Sequence, residues 1–231
     1  MRLTATENPS KVISSGARSF DLRAALNNNH DAHPQHIIET ALAHAARPVI
    51  STNFRPGSAA LLHMVVTAAP DIPVIWVDTG LNTASTYRHI EHLTVAWRLN
   101  LQAFSATDLL PEDLKTADDV SELASVPAAD EPGFERFVEK VKLEPFKRAF
   151  ATLKPDVWFT GIRREQTAYR RELEIASTGP NQSLRVAPLL DWQTARVEAY
   201  CREHQIVETH DYVDPTKPQA HLECGLQLIA S

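Results

Sequence analysis

Cys224 lies seven residues from the end of the 231-residue chain, in Glu223-Cys224-Gly225-Leu226. A thiol there, beside a glycine, can reach a reaction partner, and its thiolate is a strong nucleophile once nearby cations lower its pKa. The competing reading is a buried structural cysteine, the commonest use of a free thiol. Cations are concentrated in one stretch. Lys140, Lys142, Lys147 and Arg148 are followed by Arg163, Arg164, Arg170 and Arg171. Arginine meets phosphate and sulfate oxygens in a bidentate fork, so this stretch can hold an anion. A solvated helical face paired with Glu139, Glu144, Glu165 and Glu172 is the alternative. The Arg163-Arg164 pair favours the anion, because it follows an apolar run and Gly161 directly and leads into Glu165-Gln166.

Two further segments can serve a ligand. Ser51-Thr52-Asn53-Phe54-Arg55-Pro56-Gly57-Ser58 joins an apolar run to a helical pattern. Its hydroxyls, its amide and the start of the helix make an anion cradle, or else an ordinary β-to-α turn with Gly57 and Ser58 chosen for geometry. The Gly-Lys-Ser/Thr ending of a Walker loop is absent. Asp78-Thr79-Gly80 ends the next apolar run. Asp78 there can accept from a ribose or an adenine amine, or can cap the following helix. Of ten histidines, His30, His33 and His36 are spaced by three, as are His89 and His92. None has a partner at zinc-protease spacing, so they read as surface or capping residues and no metal site is expected. Cys201 falls beside Val197 and Tyr200 in an apolar helical pattern and reads as core.

The elements that must position these residues follow from periodicity. Strands are expected at 48–52, 72–77, 101–105 and 157–162, with 185–192 extended. The run at 72–77 is almost wholly apolar, as strands buried on both faces of a parallel sheet are. Helices are expected within 20–46, broken by a turn at 27–36, and at 59–69, 83–98, 133–153 and 194–204. Pro145 should kink or split the helix that contains it. Residues 107–132 read as a surface excursion. Alternation of this kind predicts an α/β fold, a doubly wound, mostly parallel sheet, whose ligands sit beyond the carboxyl ends of its strands. Residues 1–20 read as a loosely held segment, 21–208 as one α/β domain and 209–231 as a mobile tail carrying Cys224.

The chain carries 23 Lys and Arg against 29 Asp and Glu, a formal charge of −6. That balance argues against a general binder of nucleic acid or anionic membrane. Two cysteines exclude a disulfide scaffold and a four-cysteine cluster built from this chain alone. No apolar run approaches the ~20 residues of a membrane span, and residues 1–15 lack the apolar core of a signal peptide. A cytoplasmic location is the expectation.

Taken in order, these segments resemble one family. They are the strand with its Ser-x-Asn-Phe loop and helix, Val77-Asp78-Thr79-Gly80, Lys142-x-Glu144-Pro145-x-x-Arg148-Ala149, Thr160-Gly161-x-Arg163-Arg164-Glu165-Gln166 and Glu223-Cys224-Gly225-Leu226. From about residue 45 to 228 the chain resembles the 3′-phosphoadenylyl-sulfate (PAPS) reductases, whose fold is an adenine nucleotide alpha hydrolase-like sheet. The resemblance implies that Ser51, Thr52, Asn53, Arg55, Gly57 and Ser58 form a modified phosphate-binding loop. It implies that Asp78, Thr79 and Gly80 line an adenosine pocket. Lys142 would lie near the sulfonyl or phosphate oxygens, and Arg163 and Arg164 would engage the nucleotide, with Gly161 and Gln166 completing the substrate-binding set. Cys224 would be the nucleophile that takes the sulfonate as a Cys S-sulfonate, with thioredoxin or glutaredoxin releasing sulfite.

Related adenylyl-sulfate reductases carry a Cys-Cys pair and a later Cys-x-x-Cys. This chain has Phe137-Val138 near the pair position and no Cys-x-x-Cys, so no iron–sulfur cluster is expected and PAPS is the expected substrate. Departures from the family pattern are the short stretch before Cys224, His221-Leu222 in place of a basic residue beside it, and Arg55-Pro56 in the first loop. Family members are often dimers or tetramers, which allows a homo-oligomer, although no sequence feature sets an interface. Two other functions remain in view: a sulfate adenylyltransferase small subunit-like enzyme, disfavoured by the missing Ser-Gly-Gly-x-Asp-Ser loop, and an inactive PAPS-binding homologue.

Overall fold

A computed structural model describes residues 20–29, 32–109, 127–128, 130–208, 211–212, 214 and 216. Cys224, and with it most of the expected tail, lies outside the described residues, as do His30, most of the segment before residue 21 and much of the excursion at 107–132.

The chain runs α1 (Leu22–Asn27), α2 (Pro34–His44), β1 (Pro48–Ser51), α3 (Ser58–Ala68), β2 (Pro73–Asp78), α4 (Ala84–Trp97) and β3 (Asn100–Ser105). There follow α5 (Phe134–Val138), a π turn (Glu139–Leu143), α6 (Glu144–Leu153), β4 (Val157–Phe159), α7 (Ala168–Arg171), β5 (Ala176–Thr178), β6 (Leu184–Val186) and α8 (Thr194–Glu203). The six strands form one sheet in the order β3-β2-β1-β4-β6-β5. All pairs are parallel except β5 with β6. The predicted doubly wound, mostly parallel sheet is therefore present.

Burial on both faces explains the apolar runs. Successive strand residues point to opposite faces, and the two faces carry separate cores. Ile50, Val74, Trp76, Val157, Phe159 and Val186 join Leu61, Leu62, Ile90, Leu93, Val197 and Cys201 on the face covered by α2, α3, α4 and α8. Val49, Ile75 and Trp158, one residue out of phase, meet Phe146, Ala149 and Phe150 of α6 on the other. The rings of Phe146 and Phe150 lie 5.4 and 5.3 Å from that of Trp158.

Pro145 acts through the turn before it. Lacking an N–H, it cannot satisfy the carbonyl one turn back. The helix widens there instead into a π turn, in which the Glu144 N–H donates to the Glu139 carbonyl. Such turns concentrate at functional sites, and this one carries Lys142.

Two expectations are corrected and one strand is added. The sequence signal at 185–192 yields only β6, because residues 187–192 leave the sheet and fold into buried turns. Residues 176–178 form an antiparallel edge strand, β5, in a segment too short and polar to signal one. His89 is buried at 9% exposure rather than at the surface, whereas His33 does cap α2, its Nδ1 accepting from the Gln35 N–H at 3.3 Å.

Candidate active site

A cavity of about 130 Å³ opens beyond the carboxyl ends of β1, β2 and β4, where ligands of open parallel sheets bind. Its floor begins at Ser51, whose hydroxyl accepts from the indole N–H of Trp158 at 2.8 Å. The following loop is pinned by its own polar groups. Thr52 Oγ1 accepts from the Phe54 N–H at 3.1 Å, and the Arg55 carbonyl accepts from the N–H and hydroxyl of Ser58 at 3.0 and 2.7 Å. Phe54 takes a left-handed φ of 53° with its ring buried against Trp76. Gly57 opens α3 at φ 80°. A Cβ there would have ordinary contacts, 3.5 Å or more from its neighbours, so it is the backbone angle that calls for glycine.

Among the described residues, four cations reach the cavity from separate elements: Arg55 from the loop, Lys142 from the π turn, Arg163 after β4 and Arg170 from α7. Lys142, Arg163 and Arg170 are 7%, 8% and 4% exposed. Burying three cations is costly unless each is hydrogen-bonded or paired. Lys142 Nζ donates to Asp214 at 2.8 Å and to Thr216 Oγ1 at 2.6 Å. Burial pushes the Asp214 carboxyl up, but the Lys142 ammonium and hydrogen bonds from Lys142 and Thr216 outweigh it and hold the group below the usual range. Arg163 donates to Glu165 Oε1 at 3.1 Å and to Thr194 Oγ1 at 2.9 Å. Burial likewise raises Glu165, yet hydrogen bonds from Thr194 and the Arg163 charge bring it below its ordinary value. The Arg170 guanidinium donates to Gln166 Oε1.

Of the residues singled out in the sequence, Ser51, Thr52, Asn53, Arg55, Gly57, Ser58, Thr79, Lys142, Gly161 and Arg163 line this one cavity. Four others do not. Arg164 turns away to Asp191 at 2.5 Å and to the carbonyls of Arg171 and Leu173. Gln166 stands behind the wall, holding both Arg163 and Arg170. Asp78 organises the loop: its Oδ1 accepts from the Gly80 N–H at 2.9 Å, Asn82 Nδ2 at 3.2 Å and the Tyr87 hydroxyl at 2.8 Å. Burial, then the bond to Asp78, raises the Tyr87 phenol to about 12. Gly80 is exposed at φ 76°, and the cap of α4 is Thr83 rather than Asp78.

The basic stretch accordingly divides. Lys147 pairs with Glu139 on an exposed face, the solvated alternative; Arg148 pairs with Glu144 and also donates to the Ser105 carbonyl at 2.6 Å, while Lys142, Arg163 and Arg170 face the cavity. Thr160, Asn82, Trp76, Phe146, Tyr212 and Asp214 are lining residues not expected from the sequence, and Arg170, one of the clustered cations, joins the lining from outside the expected substrate-binding set. Arg170 was visible as a cation, but nothing in its spacing marked it as buried. Asp214 had no periodic pattern around it.

Cys201 is buried in the core, as expected. Burial, then the Glu208 carboxylate, raises its thiol to about 12, which keeps it protonated and unreactive at neutral pH. Among the described residues no group of three or more His, Cys, Asp or Glu side chains is placed to hold a metal ion. None of the described helices is long and apolar enough to cross a membrane.

Comparison with known proteins adds a family to this geometry. Residues 47–211 match the family model for the phosphoadenosine phosphosulfate reductase domain. The chain is 33% identical over 158 residues to a phosphoadenosine 5′-phosphosulfate reductase of Synechococcus, covering 68% of this chain and 66% of that one. It is 33% identical over 177 residues to the protein of the same name in Photorhabdus laumondii, covering 77% and 68%. The chain thus spans about two thirds of the length of the curated relatives it matches. A solved phosphoadenylyl-sulfate reductase from Candida auris, in complex with phosphate, superposes with a TM-score of 0.67 at 19% identity, over 84% of this chain and 91% of that one. At that identity the likeness speaks for the fold alone.

Proposed function

The chain belongs to the phosphoadenosine phosphosulfate reductase family, and on that premise we propose that it reduces PAPS to sulfite and adenosine 3′,5′-bisphosphate. The observation that carries this reading is the convergence of Arg55, Lys142, Arg163 and Arg170 on one cavity at the strand ends in a chain of net charge −6. Such a concentration answers the charge of a sulfonucleotide.

The chemistry follows from the groups present. Cys224, as thiolate, attacks the sulfonate sulfur. The bond from that sulfur to the phosphate oxygen breaks, and adenosine 3′,5′-bisphosphate departs with the electron pair. The cations offset charge on the sulfonate and phosphate oxygens as the transition state forms, and the Ser51–Ser58 loop orients the nucleotide. The product is Cys224 S-sulfonate. A thioredoxin or glutaredoxin dithiol then supplies two electrons. One thiolate attacks the Cys224 sulfur and expels sulfite, and the second closes the reductant's disulfide as Cys224 leaves as a thiol. Ten of the proposed substrate-binding residues line the cavity directly. Gln166 acts by positioning Arg163 and Arg170, Asp78 and Gly80 by shaping the loop, and Arg164 through the turn that follows β4. The reading needs no iron–sulfur cluster and gives the chain a place in sulfate assimilation in the cytoplasm.

The test is sulfite release from PAPS with reduced thioredoxin, compared with adenylyl sulfate in its place. Sulfite formed in proportion to thioredoxin oxidised, with PAPS preferred, is the expected result. Absence of sulfite from both nucleotides contradicts the reading.

A further inference from the structure

We propose that Asp214 is an internal competitor for the anion site, its carboxylate holding Lys142 until the substrate's phosphate or sulfonate oxygens displace it. The identity of the ligand rests on the functional reading above; the competition rests on geometry. Lys142 and Asp214 form an ion pair at 2.8 Å with side chains only 9% and 11% exposed, and Thr216 takes a second bond from the same ammonium. The carboxylate thus stands on the one lysine that, among the described residues, lines the cavity. An anion entering beside it would meet like charge in a poorly solvated place, where repulsion is weakly screened.

Tyr212 and Asp214 line the cavity and follow the last helix rather than belonging to a strand or helix. Described residues just before them are tied by polar contacts. Glu208 accepts from the Gly57 N–H at 2.5 Å, and the Asp211 carbonyl accepts from the hydroxyls of Thr83 and Thr86 at 3.0 and 2.9 Å. Polar ties of this kind exchange readily with water. A site held by its own carboxylate loses apparent affinity by the fraction of time it is held, so small anions of low affinity are refused while a nucleotide with many contacts is admitted.

The test uses adenosine 3′,5′-bisphosphate as probe, titrated by calorimetry into the wild-type chain and Asp214→Asn. The variant should bind roughly fivefold more tightly or better. Adding Lys142→Met to both proteins should abolish the difference between them. Equal or weaker binding by Asp214→Asn overturns the competition and makes Asp214 a support for Lys142. If neither protein binds the nucleotide, it is the functional reading that falls. A second measurement needs no variant: chymotryptic cleavage after Tyr212 should accelerate when the nucleotide is added to the wild-type chain. Cleavage that is unchanged or slowed overturns the displacement.

Discussion

The side-chain oxygen of Gln166 accepts the backbone N–H of Arg163 at 3.0 Å and also takes a hydrogen bond from the Arg170 guanidinium. One amide thus fixes two of the cavity's cations without lining the cavity itself. Gln166→Ala should loosen the Arg163 backbone and remove one tie on the Arg170 guanidinium, weakening adenosine 3′,5′-bisphosphate binding roughly tenfold, given that a lost bond to a charged group is worth about 1.5–3 kcal/mol. Arg163→Ala should cost at least as much. Calorimetry reads both, and Gln166→Glu, which keeps the acceptor, should recover most of the loss. Unchanged binding in Gln166→Ala would remove it from the account as a positioning residue.

Trp158 links the second core to the cavity floor. Its ring is fully buried among Phe146, Phe150 and Val49, and its N–H holds Ser51. Trp158→Ala should destabilise the chain by about 3–5 kcal/mol. Trp158→Phe should cost less in urea unfolding, yet should weaken nucleotide binding by releasing Ser51. Loss of stability without any change in binding would separate floor from site.

The two cysteines should differ sharply. With its thiol raised to about 12, Cys201 should not react with an aromatic disulfide reagent at pH 8 in a folded Cys224→Ser variant, and should react at once in denaturant. Stoichiometric reaction of the folded variant would show Cys201 to be open to solvent.

The pH dependence has a definite sign. Asp214 is held below its ordinary carboxylate value in the folded chain, so its pairing with Lys142 contributes stability that is fully present above the unfolded value of about 3.9. That contribution fades as pH falls through the lower folded value. Asp214→Asn should therefore flatten the stability profile below about pH 4 while leaving its shape above pH 6 alone. Parallel wild-type and variant profiles throughout would contradict the pairing.

The fold was legible because both faces of the sheet are covered. Strands such as Val74-Ile75-Trp76 are apolar on both sides, and turns with helical patterns separate them. What escaped was short or depended on the fold. β5 spans only Ala176–Thr178 at an edge, where one antiparallel partner suffices. Arg163 and Arg164 read alike in sequence, but Arg163 has an extended backbone, so its successor points to the opposite side and only Arg163 meets the cavity. Arg170 and Asp214 become site residues because chain segments distant in sequence fold back onto the same strand ends. Asp78, at a strand end like Ser51, is turned to its own loop by Gly80, Asn82 and Tyr87, a choice that local sequence does not encode.

The central claim is that Cys224 carries the sulfonate. Intact-mass analysis after incubation with PAPS, without reductant, tests it most directly. The account predicts the mass of one SO3 group added at Cys224, absent from Cys224→Ser and lost on adding reduced thioredoxin. An unmodified wild-type chain under conditions where sulfite is produced, or an adduct that persists in Cys224→Ser, would contradict it.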